Sequence, residues 1–215
     1  MRLRCEVYGR AHEGENNVTY VMPIDGRSQR RSRNKDAVVD GVIELAASGN
    51  LDPTSEEIAS VAGISHRSIY RYFDTRSDLL DAAVIRAFET ASAQVFEDQA
   101  PQGSFDDRVE WFVAARIEIY RQVRSIARVA SLQIPDGSAG LEQVRGSLRA
   151  RFFASFAFEL DALDPEQRRL AVPVADAAFQ FEALDYLCSN AGLDDESLRR
   201  SLEWHVRRHL ADACG

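Results

Sequence analysis

Apolar residues recur at helical spacing along most of the chain, and no stretch alternates apolar and polar residues as a strand would. From Lys35, the positions Val38, Val39, Val42, Ile43, Leu45 and Ala46 form one broad apolar face, and Gly49 stands where that helix would stop. Leu51, Asp52 and Pro53 make a turn into Thr54. Thr54 and Glu57 have capping-box spacing, in which each side chain satisfies an orphan amide at a helix start. Ile58, Val61 and Ala62 continue as an apolar stripe that ends at Gly63. Ser65 is placed to cap a second short helix, with Ile69 and Phe73 facing inward and His66, Arg67, Ser68, Tyr70 and Arg71 facing out. Thr75 and Asp78 form another box and open a longer helix, on which Leu79, Leu80, Ala83, Val84, Ala87, Phe88 and Ala91 repeat at one-turn spacing.

Pro101 and Gly103 mark a break, after which Ser104 begins a helix carrying Trp111, Phe112, Ile117 and Tyr120. A shorter helix with Ile126, Val129 and Leu132 is expected to follow and to stop at Pro135, and PDGSAG reads as a loop. A helix from Leu141 to Leu160 then clusters Phe152, Phe153, Phe156 and Phe158 toward its end. Asp164, Pro165 and Gln167 mark the next N-terminus, of a helix expected to run to Ala191 with a bend at Pro173. A last helix is expected from Asp194 to Ala213. The first twenty-five residues have no period and include Gly14, Asn16, Asn17 and Pro23, as a poorly ordered extension would. The expected fold is all-α. Residues 1–26 form the extension, 27–81 a three-helix head with a helix-turn-helix at 54–73, and 82–215 an antiparallel helical domain.

A net charge of −8 is unexpected for a chain with a helix-turn-helix until it is divided. Residues 27–76 carry eight basic and seven acidic side chains, whereas residues 77–215 carry fifteen and twenty-three, so the excess acid lies outside the head. The bases of the head concentrate in RSQRRSRNK, Arg27 to Lys35, and in Arg67, Arg71 and Arg76. Such a patch can hold phosphates in an acidic protein because charge is screened beyond about 10 Å at 0.1 M salt.

Composition narrows the class further. Cys5, Cys188 and Cys214 are few, odd in number and far apart, which fits a reducing cytoplasm better than a disulfide framework. No run approaches eighteen apolar residues, and MRLRCEVYGR has no apolar core for a signal peptide, so a soluble cytoplasmic protein without membrane association is expected. Met22 directly precedes the basic stretch and is an alternative start for translation. HExxH, ExxH, GxSxG and phosphate-cradling glycine loops are all absent, which argues against an enzyme, catalytic residues or a cofactor. His205, His209 and Asp212 share one helix without an enclosing partner, so no metal is expected.

At Thr54 to Leu80 the chain resembles the tetracycline-repressor-like (TetR) family of bacterial transcription regulators. The resemblance rests on a concatenation: an A-G-I-S turn, the segment Ser-Ile-Tyr-Arg-Tyr-Phe close to the family's Thr-Leu-Tyr-x-Tyr-Phe, and Thr-Arg-Ser-Asp-Leu-Leu where relatives have Ser-Lys-x-x-Leu-Leu. Two positions depart from the pattern, His66 where many relatives carry Lys and Arg67 where many carry Gly, and they bear on the target sequence rather than on the fold.

Reach and hydrogen-bonding capacity assign provisional roles within such a head. A recognition helix enters the major groove by its N-terminal end, which makes Ser65, His66, Arg67 and Ser68 the nearest groups to the bases. Arg67 is the expected base reader, since a guanidinium can span guanine O6 and N7. Tyr70 suits a thymine methyl or a phosphate, and the resemblance makes it a DNA contact. Arg31, Arg33, Lys35, Thr54, Arg71 and Arg76 are expected to hold phosphates, which positions a protein without reading sequence. Tyr72 can pack its ring, offer its hydroxyl to a phosphate, or do both; Phe73 is core.

The resemblance also implies a role for the second half. In relatives the last two helices pair with their symmetry mates in a four-helix dimer interface, and the middle helices enclose an effector pocket. Phe181, Leu184, Leu187, Leu198, Leu202, Val206 and Leu210 suit that interface. A dimer sets two recognition helices about 34–36 Å apart or more, so the operator in double-stranded DNA is expected to be palindromic. Trp111, Phe112, Tyr120, Phe152, Phe153, Phe156 and Phe179 are either pocket lining for a mostly apolar small molecule or ordinary core. Glu110, Glu118 and Asp176 would favour a cationic ligand if they were buried nearby. The function expected is a homodimeric, ligand-responsive repressor; an activator of the same fold and a protein-interaction module with a vestigial head are the alternatives.

Overall fold

A computed structural model describes residues 26–96, 103–134 and 137–210, so the N-terminal extension, Asp212 and two of the three cysteines lie outside the described residues. Among the described residues there are ten helices and no strand. The head comprises α1 (Gly26–Ala47), α2 (Ser55–Ala62), α3 (His66–Ile69) and the first turns of α4 (Arg76–Val95). Val38, Val42, Ile58, Ile69, Phe73, Leu79 and Leu80 make its core.

The anticipated capping boxes at Thr54 and Thr75 are both closed, and Gly63 ends α2 in the left-handed region at φ 64°. Two local expectations need correction. α1 starts at Gly26, not at Lys35, so the basic stretch is helical. Residues 27–34 contain no Gly or Pro and include good helix formers, yet they are largely exposed and therefore carry no apolar period to reveal the helix. On α2 the inward pair is Ile58 and Ala59, while Val61 is exposed. α1 crosses α2 at Gly41, where a Cβ would be in ordinary contact with Val61 Cγ1 at 3.4 Å and the Ile58 carbonyl oxygen at 3.5 Å.

The body departs from the expected helix boundaries in three places. α5 (Phe105–Gln133) is one helix of 29 residues rather than two, since no Gly, Pro or cap interrupts the inward series Tyr120, Val123, Ile126 and Ala130. The segment expected from Leu141 to Leu160 divides into α6 (Ala139–Ser155) and α7 (Ala157–Ala162) at Phe156, whose φ −122° and ψ 26° leave the helical well. The segment expected from Asp164 to Ala191 divides into α8 (Pro165–Ala177) and α9 (Phe181–Ser189). Gln180 at ψ 155° starts α9, and the tight turn before it drives Phe179 into the core. Pro173 stays inside α8, and α10 (Asp195–Leu210) follows.

Two apolar clusters are threaded by α5. One joins the head to α4, the C-terminal half of α5 and α6; the other joins the N-terminal half of α5 to α6 through α10. A boundary at residue 81 therefore falls within α4 and within a continuous core. α4 is also clipped to the start of α6, where Asp81 Oδ1 accepts the Ser138 hydroxyl at 2.5 Å and the Gly140 amide at 3.0 Å.

The stripe expected to meet a second subunit faces inward. Leu198, Leu202, Val206 and Leu210, together with Leu184, are buried in the protomer's own core, and Phe181 and Leu187 are partly buried there. An amphipathic helix places its strongest stripe against the nearest apolar surface, here α5 and α8. The outward apolar residues of this end include Leu170 and Val174 on α8, Tyr186 on α9 and Trp204 on α10, which are 55%, 50%, 61% and 67% exposed.

Candidate nucleic-acid interface and internal cavity

The reading head presents α3 on a scaffold of fixed caps. α2 ends at Gly63, and the short α3 begins after extended Ser65, whose hydroxyl lies 2.8 Å from that of Ser68 instead of capping a backbone amide. Arg67 and Arg71 are exposed and make no hydrogen bond or ion pair to a described residue. Tyr70 is 58% exposed, with its hydroxyl 3.3 Å from that of Ser55 at the start of α2 and its ring edge-to-face with His66. His66 Nε2 stands 3.5 Å from Glu56 Oε1. Ser55 is thus brought to the tyrosine from α2, an approach that sequence spacing alone did not reveal.

The basic turn of α1 is held beside this surface. Asn34 Nδ2 donates to the Tyr72 hydroxyl at 3.2 Å, and Lys35 Nζ lies 5.1 Å from the Phe73 ring centroid. Arg30 and Arg31, one turn earlier on α1, are exposed and unpaired among the described residues. Arg33 leans back on its own helix toward the Gln29 carbonyl at 3.5 Å.

Besides Arg33 and Lys35, three more of the expected contacts, Thr54, Arg76 and Tyr72, have structural partners. Thr54 accepts the Glu57 amide at 3.2 Å and donates its hydroxyl to the Glu57 carboxylate at 2.9 Å, so its side chain is engaged in the cap. These bonds, with the Thr54 amide foremost, hold the Glu57 carboxyl below its ordinary 4.5. Arg76 donates to the Pro53 carbonyl at 2.9 Å and to Asp52 at 3.0 Å, and so ties α4 to the turn before α2. Tyr72 is half-buried and hydrogen-bonded to α1.

The aromatic set divides in the same way. Phe112, Phe152, Phe156 and Phe179 are fully buried and meet one another edge-on or tilted, with Phe112 centred 5.1–5.7 Å from the other three. Phe153 packs against Phe152, and Trp111 against Phe96. Only Tyr120 and Phe179 of the seven line the internal void between α4, α5, α6 and α9, about 30 Å³ in volume and walled mainly by aliphatic side chains. The Tyr120 hydroxyl donates to Asp185 at 2.9 Å, and burial pushes its pKa up.

Glu110 and Glu118 lie off this void, paired with Arg207 and Arg121, while buried Asp176 binds Arg149 Nε at 2.8 Å. The charged group that does reach the wall is Arg116, which is 2% exposed. Its Nη2 donates to the Phe179 carbonyl, but Nε and Nη1 have no hydrogen-bond partner among the described residues. Burial pushes its pKa down to about 9, so it remains a cation at neutral pH. An uncompensated charge at such depth costs about 3–5 kcal/mol.

His205 and His209 meet edge-to-face with ring centroids 4.5 Å apart, and among the described residues no three His, Cys, Asp or Glu side chains gather as metal ligands would. Cys188 is a half-buried free thiol. No helix is long and apolar enough to cross a membrane, among the described residues.

Residues 38–83 match the profile of the bacterial regulatory proteins of the tetR family. The fold is similar to that of the fatty acid degradation regulator FadR from Bacillus halodurans, at 14% identity over 82% of this chain and 94% of that one, with a TM-score of 0.61. It is also similar to a transcriptional regulator from Rhodococcus sp. Rha1, at 19% identity over 85% of this chain and 96% of that one, with a TM-score of 0.57. A tetR-family transcriptional regulator from Streptomyces coelicolor gives a TM-score of 0.57 at 20% identity, covering 85% of this chain and 81% of the other. No curated protein matches the chain.

Proposed function

We propose that this chain, whose residues 38–83 match the tetR-family profile, is a DNA-binding transcription regulator rather than an enzyme, a homodimeric repressor released from a palindromic operator by a small molecule. The observation that carries the reading is a pair of exposed cations with no partner among the described residues, Arg67 on α3 and Arg71 in the turn that follows it, with the basic turn of α1 that carries Arg30 and Arg31 fastened to that turn through the Asn34 to Tyr72 bond. Arg67 and the residues around it read bases, whereas Arg71, Arg30, Arg31 and Lys35 hold phosphates. Tyr70 supplies a further contact from the exposed face of the same turn.

Two copies meet through the outer faces of α8 and α10, around Leu170, Val174 and Trp204. The effector enters the void between α4, α5, α6 and α9. Since α4 contributes Val84 and Phe88 to that void and Leu79 and Leu80 to the core of the head, a ligand that displaces α4 re-spaces the two reading heads. Operator affinity then falls by the difference in effector affinity between the two spacings.

The test is binding of the purified full chain to fragments of its own upstream DNA across a salt series, with a footprint on any retained fragment. The reading predicts a protected palindrome, a dimer-sized complex and an affinity that falls steeply with salt. Binding no better than to random DNA would favour an interaction module with a vestigial head, whereas an unchanged footprint after Arg67→Glu would remove Arg67 from the base contacts.

A further inference from the structure

Arg116 is a buried cation of the body that its own fold leaves partly unpaired among the described residues. It comes from the middle of α5 and reaches the void between α4, α5, α6 and α9, where one guanidinium nitrogen is bonded to the Phe179 carbonyl and the other two have no hydrogen-bond partner among the described residues. The nearest opposing charge is Asp176, and it is already engaged: Oδ2 accepts Arg149 Nε at 2.8 Å and Oδ1 accepts Gln180 Nε2 at 3.1 Å. The rest of the wall is apolar, including Val84, Phe88, Ile119, Leu141 and Leu148. A void with one unsatisfied cation and aliphatic walls has the polarity of a small amphipathic anion, because such a molecule pairs the charge and covers the hydrocarbon surface together.

We propose that the effector is an apolar monocarboxylate whose carboxylate binds Arg116 and whose hydrocarbon body lies between α4, α5, α6 and α9. This rests on the effector-responsive reading above and names the chemistry of its ligand. Charge-assisted hydrogen bonds from a desolvated guanidinium are among the strongest available in such a site, so head-group charge dominates selection. The free volume of about 30 Å³ has room for a water or two and none for a hydrocarbon chain, so an occupant must part the walls. Parting them moves Val84 and Phe88, which belong to the helix that carries the head.

Calorimetric titration of the full chain with n-alkanoates from hexanoate to dodecanoate, each paired with the n-alkanol of equal length, tests the assignment. The expected result is an acid that binds about tenfold or more tightly than its alcohol. Arg116→Met should abolish that preference while raising the melting temperature, since it removes an unpaired buried charge; Arg116→Lys should keep part of the preference and covers the case of a misfolded Met variant. Equal binding of acid and alcohol, binding of neither, or a preference that survives in a folded Arg116→Met variant overturns the proposal. Footprinting on the same preparation separates the two readings. Operator protection without a carboxylate preference sinks the ligand assignment alone, whereas a carboxylate preference without DNA binding sinks the regulator.

Discussion

Asn34 on α1 donates to the hydroxyl of Tyr72, 3.2 Å away and 38 residues later in the chain, and this part-buried bond fastens the basic helix to the end of the recognition turn. Tyr72→Phe keeps the ring and removes the acceptor. It should lower stability by about 0.5–1.5 kcal/mol in denaturant unfolding. DNA affinity should fall with little change in base preference, because Arg30 and Arg31 lose their alignment while Arg67 does not. A variant that loses sequence preference instead would place Tyr72 at the bases.

Arg67 and Arg71 separate by readout rather than by size of effect. Arg67→Ala should cost about 1–3 kcal/mol on the operator and relax preference at one base position in each half-site. Arg71→Ala should weaken all sequences alike and reduce the salt slope by about one. Titrations against the operator and its single-base variants at several salt concentrations distinguish the two.

Acid should loosen the head through its cap. The Glu57 carboxyl is held below its ordinary 4.5 by the Thr54 amide and hydroxyl, so it binds a proton less readily folded than unfolded. Its contribution is fully present above the ordinary value and is lost as pH falls through the depressed one. Asp107 and Asp194, held down at the starts of α5 and α10, act in the same direction. Melting temperature followed from about pH 6 to pH 3 should fall less steeply in Glu57→Gln than in the parent.

Gly140 is where α6 crosses α4. A Cβ there would lie 2.7 Å from the Asp81 carbonyl oxygen, a backbone atom that cannot swing aside. Gly140→Ala should therefore destabilise by about 1–3 kcal/mol through overpacking. Chemical unfolding gives the number, and an unchanged midpoint would show that the crossing opens freely.

The two faces of α10 make opposite predictions. Leu202→Ala hollows the core and should cost about 2–5 kcal/mol with no change in the mass of the folded species. Trp204→Glu should leave protomer stability nearly intact while sedimentation shows the dimer dissociating. A dimer that survives Trp204→Glu removes the proposed interface.

What the sequence determined by itself was local. The boxes at Thr54 and Glu57, Thr75 and Asp78, and Asp164 and Gln167 are complete within four residues, and each starts a helix where the spacing places it. The inward Ile69 and Phe73 and the outward Arg67 and Arg71 follow from the same short-range pattern. Neighbours decided the rest. The basic start of α1 has no apolar period to betray it, and α5 continues because its far half finds α4 and the head to cover it. Leu198, Leu202, Val206 and Leu210 form a stripe suitable for either a partner or a core, and the packing of α10 on α5 and α8 turns it inward. Arg116 reads as one more helical cation until tertiary structure surrounds it. A stripe or a charge declares what it can meet, but only the folded chain determines what is there to meet it.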